Sequence, residues 1–291
     1  MRIEPKDAPL GATINGIDLS QPLGEADYRI IEEALGRYGV LSFPKQTLTL
    51  QQQRDFSEKF GKLETNVANT AQDSEFPQIM ILSNMVENGK PLGLNDAGQG
   101  WHTDMSYSRT IAFSNVLYGI RIPHRNGEPL GDTEFCNMHA AYEGLPEALR
   151  QELDGMTVTH DFNKFWEMMR SKKGSLRQPL TQEQRRRKPP VSHPVFLTHP
   201  ITGRKVLYAN PGYSMRVNEM PQARSDQVLA FLFQHQLQDK YRYRHRWSIG
   251  DVLMWDNIGT IHNAVADYRP DEPRYIRRCQ VMADRYYPEL F

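Results

Sequence analysis

The chain has 291 residues, 39% of them hydrophobic, a lean share that still suffices for one large β-rich domain with helical decoration. Lys plus Arg and Asp plus Glu both total 35, so no long-range field favours nucleic acid or an anionic membrane, and any anion site must be built locally from a few arginines. Two cysteines, Cys136 and Cys279, exclude a secreted disulfide framework and a thiolate zinc site; with no apolar leader and no run of about 18 apolar residues, a cytoplasmic chain with reduced thiols is expected.

The opening reads strand, turn, helix. Ala12-Thr13-Ile14-Asn15-Gly16-Ile17-Asp18-Leu19 alternates apolar residues until the turn, and Asp27 to Tyr38 carries Ile30, Ile31, Ala34, Leu35 and Tyr38 at helical spacing. Gly39 ends that helix, and Val40 to Pro44 makes a short buried strand. Thr49 with Gln52 forms a capping box for a helix ending near Phe60-Gly61. Met80-Ile81-Leu82 is a strand, followed from Asn88 to Gly100 by a Gly- and Asn-rich stretch long enough for a functional loop. Val116 to Ile120 is a strand, and a helix runs from about Pro146 to Leu153 after Thr133-Glu134-Phe135. The region from about 161 to 190 is polar, with few periodic apolar positions, and reads as an insert or lid within a single domain. Its basic run Arg185-Arg186-Arg187-Lys188 reads as a solvated loop. Beyond it, Val195 to Leu197, Val206 to Tyr208, Tyr241 to Tyr243, Val252 to Trp255 and Cys279 to Val281 are strands, interrupted by one helix from about Asp226 to Gln238. Many short strands with a few packing helices predict a mainly β, double-sheet jelly roll.

Trp101-His102-Thr103-Asp104 lies where the glycine-rich stretch enters a strand-like segment. In an extended chain residues i and i+2 share a face, so His102 and Asp104 can reach one ion. Alone this is weak, because nine histidines make such a pair common by chance. The second half is Trp255 to Ala264, where an apolar strand breaks at a turn and resumes with His262. Two imidazoles and one carboxylate with three open positions suit a non-haem iron(II) oxygenase, whereas a structural zinc site is closed and usually richer in thiolate. Iron(II) with this set keeps one positive charge, and a chelating 2-oxo diacid brings two negative ones. Its far carboxylate then needs a cation, which a guanidinium fork matches. Arg274 lies twelve residues after His262, with Arg277 and Arg278 close behind.

At these residues the chain resembles the taurine dioxygenase and 2,4-dichlorophenoxyacetate dioxygenase family. The resemblance runs almost end to end: Gly11 to Leu19, Trp101 to Asp104, Gly131-Asp132-Thr133-Glu134-Phe135, Ala140 to Glu143, Thr198 to Lys205, Trp255-Asp256-Asn257 and His262 to Tyr268. It implies a double-stranded β-helix of the clavaminate synthase-like type. It implies Fe(2+) held by His102, Asp104 and His262, with 2-oxoglutarate and O2 as cosubstrates. Thr133 and Arg274 are then expected to hold the far carboxylate of 2-oxoglutarate, and Arg278 to lie near the substrate's acidic group. The segment between Tyr268 and Arg274 is slightly longer than in taurine dioxygenase, which leaves Arg277 as the rival to Arg278. The implied reaction converts 2-oxoglutarate to succinate and CO2 while hydroxylating a small organic acid, with bond cleavage where the carbon bears a heteroatom. Dimers or tetramers are common among relatives.

Other residues invite roles. His160-Asp161-Phe162 opens the insert, and the resemblance puts it near the substrate pocket, although a packing role for Phe162 fits equally. His199 reads as structural, His245 as part of a solvated basic strand face, and Trp101, Trp247 and Trp255 as core or site walls. The competing readings are a catalytically silent cupin-like small-molecule binder and a zinc hydrolase; succinate formation and metal analysis separate them from the oxygenase.

Overall fold

The computed structural model describes residues 1–65, 71–95, 98–172, 175 and 177–287. Seven strands lie side by side in the order Arg2–Pro5, Ala12–Asn15, Val40–Phe43, Val252–Asp256, Ala112–Arg121, Tyr275–Met282 and Met80–Ser83. All neighbours are antiparallel except Ala12–Asn15 beside Val40–Phe43. A shorter antiparallel sheet holds Arg242–His245, Thr133–Asn137 and Thr260–Ala264. Its side chains meet those of the large sheet, Phe135 against Trp255 at 5.4 Å between ring centres. This is the expected jelly-roll architecture.

Period-two alternation decides which residues meet the helices and which meet the second sheet. Val252 and Met254 join the cluster that contains Ile31, Leu35, Phe56 and Phe60, whereas Leu253 and Trp255 join the one that contains Phe135 and Trp247. Because both faces of this strand are buried, it reads in the sequence as an unbroken apolar run. The helices Glu25–Tyr38 and Leu50–Glu58 cover the first face. The former ends at Gly39, which has φ of 70°, and a Cβ there would meet Leu10 at 2.6 Å. The latter starts with the predicted Thr49–Gln52 capping box.

Several expectations need correction. Residues 162–170 and 182–187 form helices, Phe162–Arg170 and Gln182–Arg187, and the first buries Phe165 and Met169. Its apolar stripe spans little more than two turns between polar neighbours, too short to dominate the composition of the region. The basic run is not a loop: Arg185 to Arg187 form the last turn of the second helix. Between Asn88 and Gly100 a small hairpin intrudes, with Val86–Glu87 paired to Lys90–Pro91. Asp96 and Ala97, also in that stretch, lie outside the described residues. A helix at Met138–Glu143, capped by Asn137, was not foreseen. His245 is buried, 3.5 Å from Asp251, because its side of the strand faces Trp247 and the large sheet rather than solvent. Cys136 and Cys279 are free and buried. Among the described residues no helix is long and apolar enough to cross a membrane.

Candidate metal centre

His102 does not sit in a strand; it forms a single antiparallel bridge with His262 before the chain turns. The two residues exchange both backbone hydrogen bonds, His102 N to His262 O at 3.0 Å and the reverse at 2.8 Å. Directly opposed residues project to the same face, so the imidazoles emerge together, 4.3 Å between ring centres. His102 Nδ1 lies 2.6 Å from Gly100 O and donates to it, which leaves Nε2 with its lone pair towards Asp104. Gly100 is held in turn by Asn263, whose Oδ1 accepts from Gly100 N at 2.7 Å while its Nδ2 donates to Glu134.

Asp104 reaches the same centre from a turn rather than by strand alternation; Met105, just after it, has φ of 59°. The side chain of Asn257 fixes that turn. Its Oδ1 accepts from Asp104 N at 3.1 Å and from Asn115 Nδ2 at 3.2 Å, and its Nδ2 donates to Asp104 O at 2.9 Å and Ala112 O at 3.2 Å. Thr103 Oγ1 donates to Asn257 O. Asn257 and Asn263 escape a reading by residue type, since an Asn beside an apolar strand has no signature distinguishing a clamp from a turn residue.

The outcome is a buried group in which His102 Nε2 lies 3.4 Å from Asp104 Oδ1 and His262 Nε2 lies 3.7 Å from Asp104 Oδ2. Donor atoms of all three residues fall within 4.8 Å of one another, a spacing that lets one ion reach them all. Burial alone would raise the Asp104 carboxyl, but Arg278 and the two histidines outweigh it and hold Asp104 well below the usual carboxylate range. Burial and the neighbouring His102 push His262 down to about 3, which keeps it a neutral donor near pH 7. One ionised carboxylate, the neutral His262 imidazole and a second imidazole whose Nδ1 is held by a carbonyl fit a divalent metal. Phe165 and Trp255 wall the histidines, 4.9 Å from His102 and 4.8 Å from His262.

The arginines separate by strand parity. Along Tyr275–Met282, Arg278 faces the metal group, with Nη1 donating to Asp104 Oδ2 at 3.2 Å and Nη2 to Met80 Sδ at 3.1 Å. Arg277 points to the helix-covered face, where it donates to Leu48 O at 2.7 Å and lies over Tyr118. Arg274 is buried beside Gly131, donating to its carbonyl at 3.4 Å, with Tyr268 beneath the guanidinium. Among the described residues no carboxylate comes within 4.0 Å of it, and its Nε is buried without a partner. Burial lowers this guanidinium's proton affinity, the expected response of a desolvated cation lacking a close counter-ion. Thr133, two residues beyond Gly131, accepts from Trp247 Nε1 at 3.1 Å.

A second buried trio, His139, His199 and Asp256, also has donor atoms within 4.8 Å. Here His199 Nδ1 accepts from Thr202 N at 3.2 Å, and its Nε2 lies 2.9 Å from Asp256 Oδ2. The Nδ1 bond to Thr202 fits the structural role expected of His199. His160 packs against His193 and Tyr208, and Phe162 against Tyr107 at 4.8 Å.

The family model described as taurine catabolism dioxygenase TauD, TfdA family matches residues 2–280. An alpha-ketoglutarate-dependent 2,4-dichlorophenoxyacetate dioxygenase from Cupriavidus pinatubonensis is 32% identical over 283 residues, covering 94% of each chain. A pentalenolactone F synthase from Streptomyces arenae is 29% identical, covering 93% of this chain and 91% of its own. The crystal structure of a taurine dioxygenase from Burkholderia xenovorans superposes with a TM-score of 0.77 at 27% identity, covering 97% of this chain and 89% of that one. That of AAD-2 in complex with Mn(II) and N-oxalylglycine gives 0.78 at 26% identity, covering 97% and 96%. The chain belongs to the TauD/TfdA dioxygenase family.

Proposed function

We propose that this chain is an Fe(II)- and 2-oxoglutarate-dependent dioxygenase that hydroxylates a small organic acid such as a carboxylate, aryloxy acid or sulfonate. The observation that carries the reading is the convergence of His102 Nε2, the Asp104 carboxylate and His262 Nε2 on one buried point. These three residues would hold the ion. When bound, ferrous iron supplies the activation of O2 that couples 2-oxoglutarate decarboxylation to C–H hydroxylation, chemistry the side chains alone lack.

The protein's own part is binding, orientation and exclusion of water. Arg274 is a buried cation without a close carboxylate, and the far carboxylate of 2-oxoglutarate supplies one. Thr133 Oγ1 already accepts from Trp247, so its hydroxyl hydrogen is free to donate to that carboxylate. Arg278, whose Nη1 donates to Asp104 and Nη2 to Met80 Sδ, has further N–H groups to offer the substrate's acidic group. Phe165 and Tyr213 close the site over His102 and exclude solvent. The 161–190 segment serves as the lid. A catalytically silent binder is disfavoured because all three donors and the buried arginine are intact.

The test is succinate release and O2 uptake with Fe(II), 2-oxoglutarate and a panel of organic acids. Turnover that depends on one acid and disappears in Asp104→Ala is expected; no succinate with any acid, in protein shown to bind Fe(II), would overturn the reading. Cytoplasmic residence and a dimeric or tetrameric state belong to the same reading and are checked by fractionation and light scattering.

A further inference from the structure

Two facing stretches, 98–102 and 262–264, present the histidines of the metal group. Ala264 N donates to Gly98 O at 2.8 Å, and His102 and His262 exchange their backbone bonds. Between these contacts the chain bends at Gly100, with φ of 96°, and side chains engage both of its backbone groups. Gly100 N donates to Asn263 Oδ1 at 2.7 Å, and Gly100 O accepts from His102 Nδ1 at 2.6 Å. Asn263 follows His262 on the strand Thr260–Ala264, so it projects from the opposite face of the sheet. There it stands directly across from Glu134, and its Nδ2 donates to Glu134 Oε2 at 2.8 Å. A continuous path of hydrogen bonds therefore runs from a carboxylate on the outer face, through Asn263 and Gly100, to a metal-facing imidazole.

Gly100 is the weak point of that path. Glycine has no Cβ to restrict it, so once released from Asn263 it can rotate and carry its carbonyl away from His102 Nδ1. The position cannot be stiffened by residue type instead, because a side chain is strained at this φ and its Cβ would meet Met168 Cε at 2.9 Å. Rigidity has to come from a partner. His102 offers Nε2 to an ion only while Nδ1 carries the hydrogen and the ring keeps its aim, and a fixed carbonyl on Nδ1 secures both.

We propose that Asn263 is a positioning residue for the metal centre: by anchoring Gly100 it sets the tautomer and orientation of His102, and Glu134 holds it there. The inference rests on the proposed function only in taking His102 as a metal ligand, and it involves neither substrate nor turnover.

The experiment titrates Mn(II) into full-length, chelator-stripped protein by calorimetry at 10 °C. Groups that orient metal ligands contribute about 10- to 100-fold to affinity, and Asn263 acts one bond further out. Asn263→Ala is therefore expected to weaken Mn(II) binding about three- to ten-fold. Two further readouts separate positioning from a loss of stability. The double variant Asn263→Asp/Glu134→Gln keeps an acceptor for Gly100 N and reverses the bond between the strands, so it restores the affinity. In Zn(II)-loaded protein carrying 15N-histidine, the His102 Nδ1 proton, identified by its absence in His102→Gln, exchanges faster with water in Asn263→Ala and at the wild-type rate in the double variant. Unchanged Mn(II) affinity in Asn263→Ala, an exchange rate that does not rise, or a loss that the double variant does not reverse would overturn the proposal. Wild-type protein that binds no Mn(II) would sink the metal-centre reading itself, and this inference with it; that result is distinct because it is seen before any variant is compared.

Discussion

Asn257 touches no proposed ligand atom, yet it holds the backbone of Asp104 on both sides. Substituting it with Ala removes four buried side-chain hydrogen bonds and leaves Asp104 N, Asp104 O, Ala112 O and Asn115 Nδ2 without that partner. At about 1 kcal/mol for each bond, and somewhat more where a buried group stays unsatisfied, the loss is about 3–5 kcal/mol. For a domain of this size, with about 2.1 cal/mol/K of unfolding entropy per residue, that corresponds to a Tm lower by roughly 5–8 °C. Destabilisation alone does not identify a positioning role, so Leu232→Ala is the control. Leu232 is fully buried among the core residues packed around the Gln222–Gln236 helix, and its truncation costs a similar about 2–5 kcal/mol. Both variants should melt early. Only Asn257→Ala should also weaken Mn(II) binding, by about 10- to 100-fold, the range for groups that orient metal ligands. Calorimetric metal titration of folded protein at 10 °C reads the difference. Equal Mn(II) affinity for Asn257→Ala and Leu232→Ala would refute the clamp.

Three further outcomes follow from the geometry. Gly131→Ala adds a Cβ only 2.8 Å from Arg274 Nε at a φ of 76°, so the guanidinium must shift; the KM for 2-oxoglutarate is expected to rise by an order of magnitude or more, measured by succinate release. Arg278→Ala should weaken substrate binding by about ten-fold or more, whereas Arg277→Ala should lower Tm with little change in substrate KM; the reverse pattern in kinetics and melts would mean the strand parity had misled us. Glu272 accepts from Arg125 at 2.8 and 2.6 Å and from Arg269 N at 2.7 Å, and these bonds hold it down to about 2. A depressed carboxyl stabilises the fold above its ordinary value of 4.5 and loses that contribution as pH falls towards 2, so the Tm advantage of wild type over Glu272→Gln should be full at pH 6 and shrink below pH 4.5. A constant difference across that window would remove the ion pair from the account.

Residue chemistry and local periodicity carried the jelly-roll class, the capping box at Thr49 and the ending of the first helix at Gly39, and together with the family resemblance they brought forward His102, Asp104 and His262 as candidate ligands. The first three are written within a few residues, by alternation or by a capping spacing, whereas the ligand set joins two distant stretches through residue chemistry. How the ligands are presented was another matter. His102 and His262 share a face because one backbone bridge pairs them across 160 positions, and Asp104 joins them through a turn pinned by Asn257. The choice between Arg277 and Arg278, the burial of His245 and the inward turn of Lys188 were likewise set by strand register and by what packs opposite. A side chain's type travels with its own position, but its surroundings come from residues far along the chain, and only folding brings those together.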